Sequence, residues 1–201
     1  MHLITFVYLL STMLIAGVYA MTSGIEGYGL EDFTWEVETS PGGPKAHITG
    51  TVQEVVSQLL TINPNWKSDF NFSETPTRST VLSRQLSFPW TGILCDIRIG
   101  EWGYADYYAI QDGITYLNGV PGIPTAGPGP GNCARVSCSY DSAIYWCNDE
   151  TQTFSLPGFT TIAAGALVIL DNCPDLGPGV NGQVFAQFLQ NWNTIVRGDN
   201  C

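Results

Sequence analysis

The chain has little of what enzymes most often use. It carries two histidines, and only His47 lies beyond residue 20. A Ser-His-Asp or Cys-His arrangement would have to use that residue, which sits between Ala46 and Ile48 just ahead of a helix start. No G-x-S-x-G, H-E-x-x-H or C-x2-C occurs, so the usual signatures of serine hydrolases, zinc peptidases and zinc ribbons are missing. The glycines of 127–131 lack the lysine of a phosphate loop and read as a turn. Positive charge is scarce as well, with 7 Lys+Arg against 18 Asp+Glu and a net charge of -11. Nucleic acid and anionic membrane would be repelled. Beyond the first twenty residues the longest apolar stretch is 162–170, far short of the roughly 20 residues that span a bilayer.

What is present points outside the cell. Residues 1–20 are apolar and end in Val18-Tyr19-Ala20, the small-x-small pattern of a secretory signal, although the start carries His2 and no Lys or Arg. Removal of that segment would leave a secreted, extracellular chain with no transmembrane segment. The six cysteines, Cys95, Cys133, Cys138, Cys147, Cys173 and Cys201, all follow it. An even count in a secreted chain implies three disulfides, with 15 possible connectivities. Two pairings suggest themselves: Cys138 with Cys147 across a hairpin turning at Ser142-Ala143, and Cys173 with Cys201. Asn71-Phe72-Ser73 is a glycosylation sequon. No metal or cofactor is expected.

Local signals predict the elements. Residues 21–34 are polar and glycine-rich and read as a flexible lead, followed by one domain over 35–201. Trp35 and Val37 alternate as in a strand, and Ser40-Pro41-Gly42-Gly43-Pro44 is a turn. Thr51 and Glu54 form a capping box ahead of Val52, Val55, Val56, Leu59 and Leu60 at helical spacing, predicting a helix over 51–61. Residues 63–88 make a long connection with a strand at 79–86, and Cys95, Ile97 and Ile99 alternate as a further strand. Helices are expected at 106–117, capped by Asp106 and stopped at Gly119, and at 160–170. In the run 127–149, Val136, Cys138 and Tyr140 alternate with polar neighbours, predicting a disulfide-pinned hairpin over 134–149; strands follow at 182–188 and 193–196. The mixture without regular βα alternation gives an α+β class: one disulfide-stabilised domain, an antiparallel sheet packed with two to three helices.

Candidate chemistry is confined to carboxylates and rings. Glu101, Asp106 and Asp112 lie near Trp102, Tyr104, Tyr107 and Tyr108. Two carboxylates beside aromatic platforms are what a sugar cleft requires, with Glu101 and Asp106 as the acid and its partner. The simpler reading makes Asp106 a cap and Asp112 a solvated helix face. Trp102, Tyr104 and the 119–131 loop are candidates for a binding surface. Arg197-Gly198-Asp199 matches an adhesion tripeptide.

The segments Gly113-Ile114-Thr115-Tyr116-Leu117, 127–149 and Asn191-Trp192-Asn193-Thr194-Ile195-Val196-Arg197, with 40–44 and 50–55 upstream, resemble a group of secreted, cysteine-bearing proteins of filamentous ascomycete fungi. The Gly-Asn-Cys lead into a strand also resembles, more loosely, the fungal extracellular effectors called necrosis-inducing factors, related in turn to small killer toxins with an α/β sandwich. The resemblance implies an effector-like, non-enzymatic protein with an extracellular protein or glycan as partner. A carbohydrate-binding or glycoside-cleaving protein and a killer-toxin-like antimicrobial are the alternatives. The resemblance carries over no catalytic residue.

Overall fold

The computed structural model describes residues 25–73, 90–96, 102–173, 177, 179–186 and 191–201. The expected signal segment, the strand at 79–86, Ile97, Ile99 and Glu101 lie outside them. The strands are β1 (Gly29–Glu31), β2 (Thr34–Glu38), β3 (Lys45–Thr49), β4 (Trp90–Cys95), β5 (Thr125–Ala126), β6 (Asn132–Ser139), β7 (Ser142–Asn148), β8 (Phe154–Ser155), β9 (Gly182–Ala186) and β10 (Trp192–Gly198). The helices are α1 (Val52–Ile62), the short α2 (Trp66–Asp69), α3 (Tyr107–Gly119) and α4 (Phe159–Asn172). This is the expected α+β architecture. One six-stranded sheet runs β1-β6-β7-β10-β9-β4, antiparallel except where β1 joins β6 in parallel. The sheet is therefore mixed, and α2 is a helix that the sequence pattern does not suggest.

α1, α3 and α4 cover one face of the sheet. Each is built from a local signal. The Glu54 carboxylate accepts the Thr51 N–H at 2.7 Å, closing the capping box at the start of α1. Asp106 Oδ1 accepts the Ala109 N–H at 2.8 Å and caps α3. The buried stripe Val52, Val55, Val56 and Leu59 then faces inward. Trp35 stacks on Phe159 with centroids 4.1 Å apart, and Phe33 meets Trp35, Trp146 and Phe159 edge-on, tying the β2–β3 hairpin to α4 and the sheet.

The two long helices approach the sheet through glycine. A Cβ on Gly113 would lie 2.5 Å from Ser137 Oγ and 3.1 Å from Ile144 Cδ1, and one on Gly165 2.4 Å from Thr194 Oγ1 and 2.8 Å from Thr194 Cβ. A larger residue would push the helix off the strands beneath it.

The opposite face holds a second cluster built from Ile25, Trp102, Tyr145, Ile195 and the Cys133–Cys147 bridge. Its presence explains why β7 is buried at all seven positions: Ile144 and Trp146 point to the helices and Ala143, Tyr145 and Cys147 to the other side.

Residues 25–34 are not a flexible lead. Gly29–Glu31 pairs with Asn132–Ala134. The Glu31 carboxylate accepts Gly127 N–H at 3.0 Å and Asn132 Nδ2 at 2.8 Å, and the Tyr28 hydroxyl receives Asn193 Nδ2 at 3.2 Å. Backbone pairing, these side-chain bonds and the burial of Ile25 and Phe33 hold the segment.

The hairpin also departs from the expected register. Its turn is Tyr140–Asp141, two residues before Ser142-Ala143, and a bulge shifts the ladder between Arg135 and Ser137. A bulge flips side-chain direction, so Val136 joins the helix-side core while Cys138 joins the opposite cluster. Gln53 of α1 supports the bulge, donating to Ser137 Oγ at 2.7 Å and accepting the Cys138 N–H at 3.2 Å. Register in turn decides the bridges. Cys133 lies opposite Cys147, so Cys133, not Cys138, pairs with Cys147. Cys138 binds Cys201 and Cys173 binds Cys95, replacing the expected Cys173–Cys201 pair. The long loops, with separations of 78 and 63 against 14, restrict the unfolded chain most: about 4 kcal/mol each in the chain-entropy account, against about 3 kcal/mol for the short one.

Gly165→Ala separates helix propensity from packing. Alanine favours a helix by up to about 1 kcal/mol, but overpacking against Thr194 costs about 1–3 kcal/mol. Packing should win, and urea denaturation should show net destabilisation; an unchanged or raised midpoint contradicts the close contact.

Candidate functional site

A groove of about 260 Å³ opens where the start of α3 meets the tip of the β6–β7 hairpin. Tyr104, Tyr107, Tyr108, Tyr140, Asp106 and Asp141 line it. Three pieces of chain converge here. The strip 103–105 is bridged to β10 by the Gly103–Gly198 pair and to the segment just ahead of β9 by the Ala105–Val180 pair. α3 starts directly after it, presenting Tyr107 and Tyr108 with ring centroids 5.7 Å apart at 83°. The hairpin tip is locked to this helix start by Ser142, which is buried, donates to Tyr140 O at 3.0 Å and accepts Asp106 N–H at 2.8 Å.

The turn itself is unusual. Two-residue hairpin turns with φ > 0 at both positions favour Asn-Gly, because a left-handed backbone crowds a Cβ. Here Tyr140 and Asp141 adopt φ 48 and 52. The Tyr140 side chain is 84% exposed, so no packing of its ring compensates for that backbone, and Tyr108 is 73% exposed. A large aromatic residue is thus held in solvent at a position where packing and backbone preference both disfavour it. Such strain persists where the surroundings over-determine it, and it concentrates at functional sites.

The candidates expected from the sequence fare unevenly against this geometry. Tyr104 and Asp106 line the groove, with Asp106 also serving as the α3 cap. Trp102 is 3% exposed and packs in the second core cluster, so it is not a binding surface. Asp112 is an exposed helix residue, and His47 is exposed on β3 opposite Glu36. Asn71 is exposed, in a left-handed conformation beside buried Phe72. The 119–131 loop is partly ordered by pairing of β5 with β8, and its Ile123 borders a second recess, about 400 Å³, beside Glu36, Glu38 and Lys45. Alternation alone assigns Tyr140 and Asp141 to the strand and so misses them. The signal that finds them is a tyrosine and an acid between two runs of strand residues, where turn chemistry favours Asn or Gly.

Arg197-Gly198-Asp199 is not displayed as an adhesion loop. Arg197 is 7% exposed, lies over the Tyr145 ring at 5.5 Å and donates to Asp199 Oδ1 at 3.3 Å. Asp199 Oδ2 also accepts Arg135 Nη1 at 3.0 Å and the Tyr145 hydroxyl. Burial and the bond to Asp199 push the Tyr145 hydroxyl up to about 12. Burial also pushes Asp199 up, but the Tyr145 and Arg135 hydrogen bonds and the Arg197 and Arg135 charges outweigh it, leaving the carboxyl below its ordinary 3.8. With the Cys138–Cys201 bridge this cluster fastens the tail to the sheet. At the far end of β10, burial pushes the Asp149 carboxyl up, against the bond it accepts from Asn193.

Among the described residues, no group of three His, Cys, Asp or Glu side chains is placed to hold a metal, and no helix is long and apolar enough to cross a membrane. Comparison with family models, curated proteins and solved structures finds no match.

Tyr140→Asn should raise stability by about 0.5–1 kcal/mol, since Asn tolerates the left-handed turn; a lower melting temperature would contradict the strain. Because Asp199 titrates lower in the folded than in the unfolded chain, the native state binds fewer protons, and its contribution is present above the ordinary carboxylate value and lost as pH falls through the folded one. Asp199→Asn should flatten the acid limb of a stability–pH curve measured in urea; an unaltered limb would remove Asp199 as its cause.

Proposed function

We propose that this is a secreted, non-enzymatic effector-like protein of the fungal kind its motifs resemble, acting outside the cell on a host or competitor through the tyrosine groove. The observation that carries the reading is Tyr140, an exposed ring kept on a left-handed turn at the groove mouth. Three disulfides suit an oxidising extracellular setting, and two of them, Cys133–Cys147 and Cys138–Cys201, brace the hairpin whose tip borders the groove. A glycan on exposed Asn71 belongs to the same reading. Recognition by loops on a rigid scaffold is a common division of labour.

The combination of tyrosines with Asp106 and Asp141 supports a second reading, a carbohydrate-binding protein. Infiltration of the disulfide-intact chain from Met21 into plant leaf separates the two. Cell death or an immune burst is expected from the intact protein, with loss on reduction and alkylation and strong attenuation in Tyr140→Asn. No response across several plant species contradicts the effector reading, and retention on an insoluble cell-wall glycan in its place favours the second.

A further inference from the structure

We propose that the tyrosine groove takes a cationic side chain, the guanidinium or ammonium of a basic segment on an extracellular protein partner. The inference rests on the reading that this groove is the recognition surface, and it names the chemistry recognised there. A cation gains from the face of an aromatic ring within about 6 Å. Tyr107 and Tyr108 meet edge to face at 83° with centroids 5.7 Å apart; Tyr107 is half-buried against the helix-side core, so Tyr108, 73% exposed, carries the open ring surface of this pair, where a sugar ring would want one flat platform. Tyr140 adds a third phenol from the hairpin tip, and Asp106 and Asp141 bring negative charge to the same rim.

The described lining contains no Lys, Arg or His to oppose such a ligand. Arg135 and Arg197, the cations of the neighbouring β6 and β10, are engaged with Asp199. A net charge of -11 would also draw a basic partner towards the surface from a distance. A neutral sugar draws on neither the local nor the global field. Tyr140 is again informative, since a hairpin needing only a turn would carry Asn-Gly there.

The test uses the disulfide-intact protein and a fluorescent, end-blocked hexa-arginine peptide, read by anisotropy between about 20 and 200 mM salt. Binding should weaken roughly three- to tenfold in each of Tyr108→Ala, Tyr140→Asn and Asp141→Asn, and stay within about twofold in Asp32→Asn, an exposed carboxylate on the β1–β2 connection. Circular dichroism of each variant confirms folding. Absence of peptide binding at low salt overturns the proposal. So does equal weakening by Asp32→Asn and the groove variants, which would mean diffuse attraction to an acidic surface. Binding of a neutral chito-oligosaccharide that the tyrosine variants abolish would also overturn it and give the groove to a glycan. Peptide binding by a protein that provokes no leaf response would uphold the groove chemistry while removing the effector reading.

Discussion

Strand β7 is the constraint on which the rest of the structure depends. All seven of its residues are buried, because it lies between β6 and β10 within the sheet and both of its faces are covered. On one side Trp146 and Ile144 meet α3, α4 and the aromatic group around Trp35. On the other Tyr145 and Cys147 anchor the tail cluster and the short disulfide. A strand buried on both sides cannot slip by one residue without exchanging its two cores. Register is therefore fixed at β7 and passed outward to its neighbours, and it places Cys133 opposite Cys147.

That arrangement accounts for the groove. The hairpin leaving β7 cannot relax its turn, because Ser142 ties the tip to the start of α3 and the Asp199 N–H bonds to Asp141 O at 2.9 Å. The Asp199 cluster and the Cys138–Cys201 bridge hold the tail from which that second bond comes. Two supports from different parts of the chain can sustain a backbone conformation that Tyr140 alone would leave. The same rigidity would limit the ordering entropy lost in the binding proposed there.

Much of this is legible in the sequence, and the boundary is physical. α1, α3 and β2 stand out because caps and periodicity are local signals: Thr51 with Glu54, Asp106, and the alternation of Trp35 with Val37. β1 is hidden because backbone pairing and the Glu31 carboxylate hold it, so its composition reads as a lead. The bulge at Arg135–Ser137 is a long-range device, supported by Gln53 from a distant helix, and no local pattern encodes it. An unbulged hairpin with its turn two residues late leads directly to the wrong disulfide partners. Within the groove, Tyr104 and Asp106 are visible in the sequence as a ring beside an acid. Trp102 is misplaced by the same reasoning, because an aromatic residue gives no sequence clue to whether it is core or surface. Tyr140 reads as strand because the alternation continues through it, although turn chemistry makes a tyrosine there conspicuous.

The backbone of Tyr140 is where strand register, hairpin strain and the proposed recognition meet. Coupling constants and nuclear Overhauser effects at Tyr140 and Asp141 in the disulfide-intact protein in solution measure it. A single left-handed conformation is predicted at both residues, with the Tyr140 ring in solvent. An extended or averaged turn, or a Tyr140 ring folded onto the sheet, would contradict it.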